Sequence, residues 1–178
     1  YVGAEFAVGS WTYTLLTESR GVDPKIAGFW TGSIYAMFTV GRILAGLYAK
    51  KLGVNTIILL SIGGALTGAF LLWLSPIKIL SLIGVVLIGF ANAPIFPALM
   101  SGTSSRVGAR YAANTIGMQM AATGVGGALM PSLIGILARR ISLEIIPVCL
   151  IVLFAMLLVV YLISMRRSKL VGVSASDQ

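Results

Sequence analysis

Six apolar stretches joined by short polar connections account for nearly the whole chain. They cover residues 1–17, 26–49, 54–74, 78–100, 107–138 and 143–165, and each is continuous rather than alternating. The hydrocarbon core of a bilayer takes about 20 residues of helix, so each stretch predicts a membrane-spanning helix. Barrel strands would be shorter and would alternate in polarity. The predicted fold is therefore all-α integral membrane: a six-transmembrane-helix bundle over residues 1–166. A polar, small-residue tail at 167–178 is predicted to be disordered and cytoplasmic.

Composition supports this reading. Of 178 residues, 58% are hydrophobic and 10% charged, with a mean hydropathy of +0.99; a soluble domain carries about 25% charged residues. The net charge of +8 does not mark a nucleic-acid surface. Its basic residues sit at the ends of apolar stretches, many as close pairs such as Lys50 and Lys51, Arg106 and Arg110, and Arg139 and Arg140. That is the distribution of topology signals. If all six stretches cross, the connections on one side hold seven basic residues against five on the other. The positive-inside rule then puts both chain ends in the cytoplasm, with an inner or plasma membrane as the expected location.

Several chemistries drop out. Histidine is absent, which removes Ser–His dyads and His-ligated metal or haem. With five acidic residues in all, a membrane enzyme has little catalytic equipment. No G-x-x-x-x-G-K-[ST] loop supports a nucleotide-driven pump. No cofactor and no metal are expected. Cys149 is the single cysteine and should pack as a small hydrophobe. The opening at Tyr1, without methionine or cleavable signal, is expected to mark a fragment or processed piece.

The polar residues inside the stretches carry the remaining information. A carboxylate at bilayer depth costs roughly 2.5–3.5 kcal/mol, so Glu5 should face a bundle interior or a wet cavity. Glu5, Gly9, Thr12 and Tyr13 fall on one helical face. Small residues that allow close helix approach recur in the fifth stretch at Ala113, Gly117, Ala121, Gly124 and Ala128, with Gly126 and Gly127 ahead of Pro131. The third stretch has Gly63, Gly64 and Gly68. Pro94 and Pro97 remove two backbone donors from the fourth stretch and should kink it; Pro131 should kink the fifth.

Between the second and third stretches stands Gly46-Leu-Tyr-Ala-Lys50-Lys51-Leu-Gly53-Val-Asn. This resembles the cytoplasmic loop motif of the major facilitator superfamily, G-x-x-x-D-R-x-G-R/K-R/K. Gly46, Lys51 and Gly53 fall in register, whereas Lys50 replaces the acid and Val54 and Asn55 replace the final basic residues. Tyr1-Val-Gly-Ala-Glu5 through Gly9-Ser-Trp11 resembles the seventh helix of fucose-permease-like transporters. Gly89-Phe-Ala-Asn92-Ala-Pro94-Ile-Phe-Pro97 resembles their tenth. The resemblance implies helices seven to twelve, the C-terminal half of a twelve-helix major facilitator fold whose N-terminal six-helix half is missing here. It further implies a midplane site for a small polar solute such as a sugar, alternating access, and the proton coupling common in that group. Stretches one, two, four and five would face the cavity, and three and six the lipid.

Glu5, Trp11, Tyr13, Tyr35, Asn92, Asn114 and Gln119 are the expected cavity residues. For several a structural role competes. Glu5 could pair with Arg42, Asn92 could cap freed carbonyls, Gln119 could bond another helix, and Trp11 could simply pack. Trp30 fits an interfacial belt better than a stacking face. Arg42 belongs either to the loop-motif network or to a side chain snorkelling to the surface. The expected partners are a small solute, the bilayer and the missing half, with no nucleic acid. A rival reading is a non-transporting six-helix module that dimerises or scaffolds.

Overall fold

A computed structural model describes residues 1–74 and 78–176, excluding the side chains of Lys50, Lys78 and 167–176. Among the described residues there is no strand. The chain runs α1 (Val2–Thr14) with a π-helical turn at Leu15–Ser19, α2 (Pro24–Leu52), α3 (Val54–Trp73), α4 (Lys78–Asn92), α5 (Ile95–Ser101), α6 (Thr103–Val107), α7 (Ala109–Arg140) and α8 (Ile145–Ser176). The predicted connection at 75–78 falls largely outside the described residues.

Local chemistry explains the boundaries. Asp23 caps α2, its carboxylate accepting from the Lys25 and Ile26 amides at 2.9 and 3.3 Å, and Pro24 opens the helix. Gly53 separates α2 from α3 at φ 71°, and Gly108 precedes α7 at φ 79°; this left-handed region suits glycine. Pro94 interrupts the fourth helical stretch between Asn92 and Ile95, whereas α7 continues unbroken through Pro131. The α8 helix extends over 167–176, where composition predicts a disordered tail. No proline interrupts that segment, so the hydrogen-bond ladder of the span carries on. Asp177 and Gln178 lie outside the described residues.

Among the described residues four helical stretches are long and apolar enough to cross a membrane: 54–73, 79–101, 109–140 and 145–166. The first two predicted spans are not among them. The α part of α1 has 13 residues, and α2 is diluted by Thr, Ser, Gly, Tyr, Trp and Arg42 along its length.

Packing pairs α3 with α4 and α8, α2 with α4, and α1 with α7. The main core lies between α1, α3, α4 and α8 and includes Val8, Leu72, Ile88, Leu150 and Phe154, all essentially inaccessible. Close crossings are made by glycine. A Cβ on Gly84 would lie 2.6 Å from the Gly68 carbonyl oxygen, one on Gly89 2.7 Å from that of Ile34, and one on Gly3 2.8 Å from that of Gly126. The expected small-residue stripe of α7 is used only in part. Gly126 and Gly127 meet α1, but Gly117 and Gly124 have no neighbour within 4 Å.

Candidate functional site: cavities beside the first helix

The first cavity, about 270 Å³, lies between α1 and α2 and is lined by Glu5, Phe6, Gly9, Ser10, Tyr35 and Phe38, with Ile34 behind. Glu5 is half-buried and makes no ion pair among the described residues. Gly9 leaves room for Tyr35, whose hydroxyl would lie 2.7 Å from a Cβ there. The polar face predicted on α1 is therefore divided. Glu5 and Gly9 line the cavity, Thr12 is buried and donates to its own Val8 carbonyl at 2.7 Å, and Tyr13 is exposed.

A second cavity of about 220 Å³ opens where α1 begins, between α5 and α7. Tyr1, Phe96, Met100, Gln119 and Thr123 line it. Thr103 Oγ1 lies 3.0 Å from Gln119 Oε1 and 3.0 Å from the Leu99 carbonyl, so this amide is already engaged with α6. Asn114 is exposed and lines neither cavity. Asn92, 2% exposed, ends α4; its backbone carbonyl accepts the Tyr1 hydroxyl at 2.9 Å, while its side-chain Oδ1 has no partner.

Trp11 binds across helices. Its indole N–H donates to the Pro131 carbonyl at 2.9 Å and its ring covers Gly135. Trp30 packs edge-on against Phe29 with centroids 6.0 Å apart. Arg42 is exposed and stacks over Phe38, 4.6 Å from the ring centre. Within the loop motif, Gly46 and Lys51 are exposed, and Gly53 supplies the positive-φ link between helices. The Lys50 side chain lies outside the described residues.

Two polar ties at opposite ends of the bundle involve residues that the sequence reading did not single out for this. Arg20, with a side chain 4% exposed, forms a two-pronged pair with Glu144 (Nε–Oε1 3.0 Å, Nη2–Oε2 2.8 Å). It also donates to Ser81 Oγ at 2.7 Å and to the Leu72 carbonyl at 2.8 Å. At the other end Arg106 Nη2 donates to Tyr161 Oη (2.7 Å) and Asn55 Oδ1 (3.0 Å), and the Tyr161 hydroxyl donates to the same Asn55 oxygen at 2.8 Å. Asn55 is the last position of the loop motif, where the family pattern has a basic residue.

Comparison with known proteins gives the family of this chain. The family model described as Major Facilitator Superfamily matches residues 1–177. The chain belongs to the Major Facilitator Superfamily. A Saccharomyces cerevisiae protein, Bypass of stop codon protein 6, is 24% identical over 163 residues, covering 83% of this chain and 32% of that protein. The chain thus spans about a third of the length of the curated relative it matches. No solved structure matches it.

As a superfamily member the chain is an integral membrane protein. Of the expected cavity residues, Glu5 and Tyr35 come together in one cavity and Gln119 lies in the other. Phe6 and Phe38 join Glu5 without having been singled out. At i, i+1 from Glu5 and i, i+3 from Tyr35, they read as ordinary apolar positions. The signal that could have found Arg20 is its place beside Gly21 at a helix end, ahead of a second acid–helix junction at Glu144.

Proposed function

We propose that this chain is the C-terminal half, helices seven to twelve, of a twelve-helix secondary carrier that moves a small polar solute by alternating access. In this reading all six helical stretches cross the membrane, with both ends in the cytoplasm of a plasma or inner membrane. The α1–α2 cavity carries the reading. A carboxylate without an ion pair among the described residues, flanked by the rings of Tyr35 and Phe38, can accept hydroxyl hydrogen bonds while a ring stacks on the solute's apolar face. That chemistry suits a sugar, the class implied by the likeness to fucose permeases, with a proton gradient as the driving force. Packing supports it too. In α7 only 11% of the apolar window is buried, against 44% in α3. A helix bordering a central cavity has a free face that no neighbour within its own half covers.

Uptake of labelled sugars by the full-length protein, with and without a proton gradient, tests the reading. Glu5→Gln should lower uptake at least roughly tenfold, the scale of one charge-assisted contact, without lowering the amount inserted in the membrane. Undiminished uptake in that variant removes Glu5 from the site.

A further inference from the structure

We propose that the break between α4 and α5 binds a sodium ion on Asn92. Such a site stands apart from the proton-driven carrier reading and does not depend on it. Pro94 and Pro97 lack amide hydrogens, so the carbonyls of Phe90 and Ala93 lose their usual donors four residues on. The Phe90 carbonyl is closed off against Gly41, where a Cβ would come within 2.5 Å. The Ala93 carbonyl is the other one left without its i+4 donor. The α4 helix also ends here, and the carboxyl end of a helix carries partial negative charge. Interrupted helices at membrane depth use such ends and freed carbonyls to hold cations.

The second observation is Asn92 itself. Its Oδ1 is buried and unpartnered, an unfavourable state for an amide oxygen. A donor is close by, since the Tyr1 hydroxyl reaches the Asn92 backbone carbonyl at 2.9 Å, yet the side-chain oxygen goes unserved. A cation satisfies it without a hydrogen-bond donor. Charge sets the valence. Tyr1, whose hydroxyl bonds the Asn92 backbone carbonyl, and Glu5 stand one turn apart on the same face of α1. One carboxylate with neutral oxygens balances a single positive charge. Calcium would call for more carboxylates, and no group of three His, Cys, Asp or Glu exists among the described residues.

The test is thermal unfolding of the purified full-length protein in sodium, potassium or choline chloride at matched ionic strength. Sodium should raise the midpoint saturably over the other two salts. Asn92→Ala should abolish that difference, and Asn92→Asp, which keeps an oxygen in place, should retain it. Glu5→Gln should raise the half-saturating sodium concentration roughly tenfold, as the loss of one nearby charge does at intermediate dielectric. A wild-type protein that responds equally to all three salts overturns the site, as does an undiminished sodium response in Asn92→Ala. A sodium response that persists while no solute is transported upholds the site and counts against the carrier reading alone.

Discussion

Arg20 shows how one side chain can matter more than its surroundings in the sequence suggest. Its guanidinium is almost fully buried and its donors reach the α3 terminus, α4 and the α7–α8 connection. Removing Glu144 would leave that charge with only Ser81 and the Leu72 carbonyl. Breaking a buried pair costs about 3–5 kcal/mol; Glu144 is itself 36% exposed, so solvent screening brings the expected loss for Glu144→Gln to about 2 kcal/mol. The hydrogen bond from Arg20, with smaller help from Ser19, holds the Glu144 carboxyl below its ordinary value of 4.5, against the opposing effect of burial. A lowered native value means that the unfolded chain takes up the proton first. The stabilisation is complete above the ordinary value and is lost as pH falls through the native one. Unfolding midpoints recorded down an acid series should fall for the wild type and stay flatter for Glu144→Gln.

At the scale of helices, glycine position decides stability. On the Gly68/Gly84 crossing a Cβ at residue 84 would meet backbone, 2.6 Å from the Gly68 carbonyl oxygen and 2.8 Å from the Leu72 nitrogen. Backbone cannot swing aside as a side chain can, so Gly84→Ala should force α3 and α4 apart, at about 1–3 kcal/mol. Gly117 on α7 meets nothing within 4 Å. There, alanine should be neutral or stabilise by up to about 1 kcal/mol through helix propensity. Thermal unfolding of the two variants side by side reads the difference. Equal effects would mean that α3 and α4 do not cross as closely as described. The same contrast explains why the α7 stripe was only half legible: a run of small residues licenses close approach but does not say whether a partner comes.

For the whole molecule, two polar ties pin α8 to α3 at either end. One joins Glu144, next to the start of α8, to Arg20 and the Leu72 carbonyl; the other joins Tyr161 to Asn55 through Arg106. Residues 145 and 161 are about 24 Å apart along a helix rising 1.5 Å per residue. Tyr161→Phe, which removes the shared hydroxyl, should cost about 1–2 kcal/mol. Combined with Glu144→Gln, the two losses should add to within about 0.5 kcal/mol, as expected for distant sites without shared partners. A marked departure from additivity in denaturation of the double variant would show that α8 transmits strain between the ends.

Chain order alone determined that this protein is a helical membrane protein and carried the superfamily's loop motif. The lengths of apolar runs, the glycine at 53 and the prolines at 94 and 97 act on their own few residues, so local pattern reveals them. Tertiary structure decided that Glu5 and Gln119 occupy different cavities, that Trp11 binds the carbonyl of Pro131, and that Arg20 finds Glu144 124 residues away. Lipid offers helices no hydrophobic drive toward one another, so apolar periodicity does not encode which faces meet. Those pairings come from glycine-sized gaps and buried polar partners, which exist only once the helices are side by side.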